Sequence, residues 1–134
     1  MRFFLFTDGA SRGNPGPAAA GAILKNEKGQ VILKGSQFLG RMTNNEAEYR
    51  ALLFGLNKAQ TQARGGELVI LMDSELVISQ LRGVYKIKAP HLRELLMEVK
   101  IKERAFPKVF YKLIPREKNA QADALANEAL DRTL

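Results

Sequence analysis

The order in which strand-like and helix-like segments follow one another is the strongest constraint on the fold of this chain. Short apolar runs bounded by turn residues predict strands, and apolar residues spaced three and four apart predict helices. Strands are predicted over residues 2–7, 19–25, 30–38, 67–72 and 108–114, with a turn-rich run over residues 9–17 between the first two. Helices are predicted over residues 44–62, 73–82, 90–104 and, with Asn119 as its N-cap, from 119 to the C-terminus. The resulting order, βββαβααβα, predicts an α/β fold in which a five-stranded mixed sheet carries helices on both faces.

Length and composition exclude several classes of protein. The 134 residues suit a single domain over 1–134, and the absence of Cys excludes disulfides, thiolate zinc sites and thiol nucleophiles. The longest apolar stretch, residues 18–24, is far shorter than the about 20 residues that span a bilayer. The N-terminus also lacks the pattern of a signal peptide. We therefore expect a cytoplasmic monomer with no membrane partner.

The net charge of +7 lies entirely between residues 82 and 118. That segment holds eleven Lys and Arg residues against four Asp and Glu, whereas the rest of the chain holds ten of each sign. A concentrated basic segment is typical of proteins that bind polyanions, nucleic acid above all. A solvated helix face is the alternative, and composition alone does not separate the two.

Two carboxylates stand directly after predicted buried strands. Asp8 follows four consecutive apolar residues, and Asp73 follows the strand over residues 67–72. A charge in such a place is costly unless something pairs with it, and the carboxyl ends of strands are where α/β proteins place ligands. The alternatives are local: Asp8 suits a turn with Gly9, and Asp73 suits the N-cap of the next helix.

Two further carboxylates lie on predicted helices. Glu48 heads the apolar stripe of the helix over residues 44–62, so it faces the core, whereas Glu46 is placed to cap that helix and to pair with Arg50 on the surface. Asp123 lies among small residues of the last helix, which would let another backbone or a metal approach closely. A surface charge near a helix N-terminus is the alternative for Asp123.

Taken together, Asp8, Glu48, Asp73 and Asp123 offer hard oxygen ligands from four separate elements. No Cys and no candidate His accompanies them, so the set suits Mg²⁺ or Mn²⁺ rather than zinc. Carboxylates that hold two such ions about 3.5–4 Å apart are typical of phosphodiester hydrolysis.

The motifs that contain these acids resemble those of type 1 ribonuclease H. They are Thr-Asp-Gly at 7–9, Gly-Asn-Pro-Gly-Pro at 13–17, Thr-Asn-Asn-x-x-Glu at 43–48, Asp-Ser at 73–74 and Asn-x-x-x-Asp at 119–123. Each motif alone is uninformative, but together they have the order and spacing of that family and cover nearly the whole chain. The predicted βββαβααβα order also agrees with the ribonuclease H fold.

The resemblance implies both a reaction and the residues that perform it. Asp8, Glu48, Asp73 and Asp123 match the metal-binding catalytic tetrad, whereas Glu46 does not. The implied reaction is internal hydrolysis of the RNA strand of RNA–DNA hybrids to 5′-phosphate and 3′-hydroxyl ends, with two Mg²⁺ or Mn²⁺ ions. A side activity on double-stranded RNA is a further expectation.

The same resemblance implies a set of substrate contacts. Asn14, Asn44 and Asn45 match positions that touch the minor groove of the hybrid, and Asn14, Arg41 and Thr43 match a pocket for a phosphate of the DNA strand. The enzyme would then distinguish the RNA strand from the DNA strand by the 2′-hydroxyl group of RNA. Amide side chains suit this task because they can both donate a hydrogen bond to a 2′-hydroxyl and accept one from it. The complete set of expected substrate-binding residues is Gly9, Ser11, Asn14, Arg41, Thr43, Asn44, Asn45, Lys86, Lys88 and Arg116.

The chain departs from well-known bacterial members of the family in three places. Arg116 stands roughly where those members carry a His before the last helix, and the single His of this chain, His91, opens a different helix and is expected on the surface. A Trp-containing basic protrusion is replaced by the short link over residues 84–89, in which Lys86 and Lys88 are expected to hold substrate phosphates instead. Glu75 stands where a neutral amide is common. This pattern resembles a short subgroup found in archaea and some bacteria.

Two other functions compete with this interpretation. A binding module of the same fold would hold a hybrid or double-stranded RNA without cutting it, but it would not need four mutually repelling carboxylates. A different two-metal nuclease, such as a 3′–5′ exonuclease or a junction resolvase, would keep the acids. The motifs at 13–17 and 43–48 favour ribonuclease H over both.

Overall fold

The structure, a computed structural model, describes residues 1–133. Its strands are β1 (Arg2–Ser11), β2 (Gly16–Lys25), β3 (Val31–Met42), β4 (Glu67–Met72) and β5 (Val109–Leu113), and its helices are α1 (Asn44–Ala63), α2 (Glu75–Leu81), α3 (Pro90–Lys102) and α4 (Ala120–Thr133). Short 3₁₀ turns lie at Glu103–Ala105 and Arg116–Asn119. Within residues 1–133, no helix has the length and apolar character needed to cross a membrane.

The five strands form one mixed sheet in the order β3-β2-β1-β4-β5. β1 pairs antiparallel with β2 and parallel with β4, and β4 pairs parallel with β5. Because β1 and β4 run in the same direction, their carboxyl ends meet at one edge of the sheet, where Asp8 and Asp73 lie. The structure confirms the predicted α/β fold with its five-stranded mixed sheet and the predicted order of elements along the chain, βββαβααβα.

Helices cover both faces of the sheet. On one face, Gly55 of α1 packs against Thr7 and Leu5 of β1. On the other face, α4 packs on β2 at Gly21, whose Cα lies opposite Asp8 in the antiparallel pair. Since paired residues of an antiparallel ladder point to the same side, Asp8 and α4 share a face.

Two predicted boundaries differ from the structure. Residues 9–17 were expected to form a turn-rich loop, but β1 continues to Ser11 and β2 begins at Gly16. The small side chains there allow a close antiparallel pair from Asp8 opposite Gly21 to Ser11 opposite Ala18, and this pairing outweighs the local turn preference.

Asn119 also differs from its predicted role. It was expected to cap the last helix, but it ends the 3₁₀ turn before α4 and its side chain is buried. Its Nδ2 donates a hydrogen bond to the backbone oxygen of Thr7 in β1, and no backbone N–H of the first turn of α4 donates to its Oδ1. A contact with a strand 112 residues away in sequence therefore replaces the local cap.

The contact between α4 and β2 depends on a residue without a side chain. A Cβ atom on Gly21 would lie 2.1 Å from the carbonyl oxygen of Ala122 and 2.9 Å from the backbone nitrogen of Ala126. Backbone atoms of a helix cannot move aside separately, so any side chain at Gly21 would push α4 away from the sheet. Because α4 carries Asp123, the closeness of this contact also positions a candidate catalytic residue.

Replacing Gly21 with Ala should therefore destabilise the protein by about 2 kcal/mol or more, as overpacking against rigid backbone does. Gly35→Ala is the matched control, since its Cβ would meet the flexible end of the Lys58 side chain at 2.7 Å. Urea unfolding followed by circular dichroism measures both variants. Equal loss of stability in the two would contradict the close packing of α4.

Candidate active site

Four elements bring their carboxylates to one cleft at the edge of the sheet. Asp8 extends from β1, Asp73 directly follows β4, Glu48 lies near the start of α1 and Asp123 lies near the start of α4. β4 ends at this edge, β1 runs three residues past Asp8, and both helices begin there. The cleft has a volume of about 450 Å³ and is lined by Asp8, Gly9, Ala10, Ser11, Asn44, Glu48, Asp73, Arg116, Asp123 and Asn127.

Three of these carboxylates are close enough to share an ion. Asp8, Glu48 and Asp73 each offer an oxygen atom, and the three oxygens lie within 4.8 Å of one another. Asp123 lines the same cleft, where its charge and side-chain hydrogen bonding help to raise the pKa of Asp8. Asp123 is held in turn by Asn127, whose side-chain amide donates to the backbone oxygen of Asp123 at 3.0 Å and to its Oδ1 at 3.3 Å.

The crowding of these acids changes their protonation. Burial raises the pKa of Asp8 from 3.8 to about 9, with further contributions from the charge of Glu48 and the hydrogen bond to Asp123. Burial likewise raises the pKa of Glu48 from 4.5 to about 8, although a backbone hydrogen bond from Gly9 opposes the shift. Without a cation, the folded protein therefore disfavours the charged forms of these two acids near neutral pH.

Gly9 lets α1 approach the end of β1. Its backbone N–H donates to Oε1 of Glu48 at 2.7 Å, which fixes the carboxylate over the strand. A Cβ at Gly9 would lie 2.3 Å from the backbone oxygen of Ala47, so only glycine fits at this distance. Gly9, predicted from the resemblance to bind substrate, is thus shown here as a support for Glu48.

Asn119 connects two other parts of the site. Its Nδ2 donates to the backbone oxygen of Thr7 at 2.9 Å and reaches Oδ2 of Asp73 at 3.5 Å. Thr7 precedes Asp8, and Asn119 precedes the helix that carries Asp123. One buried amide therefore links the segments that carry three of the four acids.

The donor set fits a hard divalent cation. All four acids present oxygen ligands, the cleft lining contains no His, and the chain contains no Cys. Such ligands prefer Mg²⁺ or Mn²⁺. Burial and neighbouring acids raise the pKa values of Asp8 and Glu48, and a bound cation would favour the charged forms of both.

A second cleft adjoins the first. Its volume is also about 450 Å³, and it is lined by Asn14, Thr43, Asn44, Asn45, His91 and Leu92. Asn44 lines both clefts, and its backbone N–H donates to Oδ1 of Asn14 at 3.0 Å. The amide residues expected to contact substrate thus lie together, next to the carboxylates.

The remaining predicted site residues divide into two groups. Ser11 and Arg116 line the carboxylate cleft, and the Ser11 hydroxyl lies within hydrogen-bonding distance of backbone oxygens of the loop that contains Asn14. Arg41, Lys86 and Lys88 are exposed and lie outside the linings of both clefts.

Glu46 points away from the carboxylate cleft. Its carboxylate lies 3.7 Å from Nε of Arg50 and 3.8 Å from Nε2 of His91, and its backbone N–H donates to the Thr43 hydroxyl. The separation of Glu46 from Glu48 follows the helical spacing read from the sequence.

Three residues near the clefts were not predicted to have these positions. Asn127 follows Asp123 by four residues, so helical spacing could have identified it. The contact of Asn119 with Thr7 joins distant segments and has no local signal in the sequence. His91 lies on the surface as predicted, with its side chain 59% exposed, and it also forms part of the wall of the second cleft, which was not predicted.

Comparison with known proteins identifies the fold and the family. A family model described as "Reverse transcriptase-like" matches residues 6–129. Ribonuclease HI of Halobacterium salinarum is 41% identical over 97% of this chain and 65% of its own length. A bifunctional protein of Mycobacterium tuberculosis is 41% identical over 98% of this chain. The chain spans only 36% of the length of that second relative.

Solved structures agree closely with this chain. The crystal structure of RNase H1 from Halobacterium salinarum has a TM-score of 0.95 and 40% identity, covering 98% of this chain and 99% of that one. LC11-RNase H1, solved in complex with an RNA/DNA hybrid, has a TM-score of 0.93 and 41% identity, covering 98% of each chain. With the sheet order and the cleft described above, these similarities show that the chain belongs to the type 1 ribonuclease H family.

Proposed function

We propose that this chain is an endonuclease that hydrolyses the RNA strand of RNA–DNA hybrids, with two divalent cations, to 5′-phosphate and 3′-hydroxyl products. The observation that carries the proposal is the group of three carboxylates within 4.8 Å, set beside a cleft walled by asparagines. The hybrid bound by LC11-RNase H1 supports the choice of substrate. The proposed enzyme acts as a monomer in the cytoplasm.

The carboxylates would hold Mg²⁺ or Mn²⁺ between Asp8, Glu48, Asp73 and Asp123. When bound, the cations would neutralise these acids, make a water molecule more nucleophilic and stabilise the leaving 3′ oxygen. The contribution of the chain is to hold the four acids rigidly, through the Gly9 N–H on Glu48, the Asn119 amide near Asp73 and the Asn127 amide on Asp123.

Substrate selection would come from the residues beside the carboxylates. Asn44 lines both clefts, so its amide can reach a nucleotide whose phosphate lies among the acids. An amide both donates to and accepts from a 2′-hydroxyl, the group that distinguishes RNA from DNA. Arg116, which lines the carboxylate cleft, would pair with a phosphate oxygen of the substrate there. The same contacts exist on double-stranded RNA, so a weaker activity there is part of the proposal.

Asp8→Asn tests the nuclease proposal directly. We expect the wild-type protein to make internal cuts in the RNA strand of a labelled hybrid with Mg²⁺ or Mn²⁺ and none with EDTA. Asp8 is the acid of the cleft whose pKa is raised most. Its replacement should lower the cleavage rate at least about 10³-fold while leaving hybrid binding intact. Glu128→Gln is the matched control, because that acid is exposed on α4 and lines neither cleft.

The substrates in this assay separate the competing functions. Hybrid, double-stranded RNA, single strands and DNA duplex are compared on denaturing gels. Release of single nucleotides from a 3′ end would identify an exonuclease, and cutting of branched DNA alone would identify a resolvase. Binding without cleavage in either metal, or equal cutting by Asp8→Asn, would contradict the proposal.

Lys86 and Lys88 are proposed to hold phosphates of the substrate away from the cut site. Both are exposed on the link between α2 and α3, within the basic segment over residues 82–118. Contacts between lysines and phosphates release counterions, so they weaken as salt increases.

The double variant Lys86→Ala, Lys88→Ala should raise KM for the hybrid and lower the slope of log KM against log salt by about 1 to 2. Lys28→Ala, Lys108→Ala is the control of equal charge, since both lysines are exposed at the opposite edge of the sheet. Steady-state cleavage at several KCl concentrations provides the measurement. If the two double variants behave alike, Lys86 and Lys88 belong to a solvated face.

A further inference from the structure

The second cleft brings α3 next to the candidate active site. Five of its six lining side chains are polar, namely Asn14, Thr43, Asn44, Asn45 and His91, and Leu92 completes the wall. None of the six is acidic, whereas the adjoining cleft contains four acids. A substrate whose scissile phosphate lies among the carboxylates would extend along this second cleft, because Asn44 lines both.

His91 is the one residue of this lining with an imidazole ring, and its side chain is exposed enough to meet a ligand. Its Nε2 lies 3.8 Å from Oε1 of Glu46. The carboxylate of Glu46 also lies 3.7 Å from Nε of Arg50. Glu46 therefore stands between two basic side chains, and it does not line the second cleft.

The backbone around the cleft also tolerates an anion. α1 begins at Asn44 and α3 begins at Pro90, so the first turns of both helices contribute to its wall. The positive ends of two helix dipoles lower the cost of placing a negative group there. This effect is secondary to the side-chain donors, which determine where the group would lie.

We propose that His91 is a substrate-binding residue, which donates an imidazole N–H to a backbone phosphate oxygen of the bound hybrid. The proposal rests on the nuclease function proposed above and extends the substrate surface from β1 and α1 to α3. Imidazole suits this task because it is a rigid donor that can pair with a phosphate oxygen without a long flexible stem.

Two variants of His91 separate the donor from the ring. His91→Phe keeps a ring of similar size without an N–H, and His91→Asn keeps a donor. We expect His91→Phe to raise KM for the hybrid about three- to tenfold with little change in kcat, and His91→Asn to lose less. Arg104→Ala, which removes an exposed cation beyond the other end of α3, is the control and should leave KM unchanged. Thermal unfolding checks that each variant remains folded.

A chemical change in the substrate identifies the atom that His91 contacts. Single methylphosphonate linkages, which remove the charge of one phosphate, are placed in turn along the RNA strand and along the DNA strand. Binding is followed by fluorescence anisotropy with Asp8→Asn protein, which does not cut the probe. A methylphosphonate at one position should weaken binding of the probe to the Asp8→Asn protein but not to the double variant that also carries His91→Phe. The strand that contains this position is the one whose backbone lies in the second cleft.

The possible results distinguish this proposal from the one on which it rests. If the wild-type protein cuts hybrid and His91→Phe has an unchanged KM, His91 is a surface residue and the proposal is wrong. The same holds if both proteins respond alike to every methylphosphonate position. If the wild-type protein cuts no hybrid at all, the nuclease function fails, whereas a position-specific difference in binding would still support the phosphate contact.

Discussion

Repulsion among the carboxylates of Asp8, Glu48, Asp73 and Asp123 is the interaction to which the rest of the structure is fitted. Asp8 and Glu48 are almost fully buried, and their pKa values rise to about 9 and about 8 because burial and neighbouring acids disfavour charge. A fold gains nothing in stability from such a group. The arrangement is understandable only if cations occupy the cleft during function, and the oxygen ligands suit Mg²⁺ or Mn²⁺.

Glycine and amide residues hold the acids together against this repulsion. Gly9 and Gly21 let the backbones of α1 and α4 approach the sheet, and the Gly9 N–H is bonded to Glu48. Asn119 bonds the backbone next to Asp8 and reaches Asp73. These residues need not touch substrate to matter for activity, because they fix the distances on which cation binding depends.

Much of the fold and the identity of the four acids could be predicted from the sequence, because they depend on local patterns. Apolar spacing predicted the strand and helix order, and the apolar stripe of α1 separated Glu48 from Glu46. Contacts between distant segments could not be read in this way. The buried bond of Asn119 to Thr7 joins the two ends of the chain, and the position of His91 depends on how α3 packs beside α1. Pairing with β2 likewise extended β1 through a segment whose composition favours turns.

The stability of the metal-free protein as a function of pH tests the central claim most directly. In the unfolded chain Asp8 has its ordinary pKa of 3.8, and in the folded protein the value is about 9, so folding becomes less favourable as pH rises between them. The free energy of unfolding is measured with urea in EDTA at several pH values from about 5 to about 8. The Asp8→Asn variant should become more stable than the wild-type protein as the pH rises over this range. Mg²⁺ should then stabilise the wild-type protein more than the variant. A difference that does not change with pH, together with no effect of Mg²⁺ on either protein, would contradict the account.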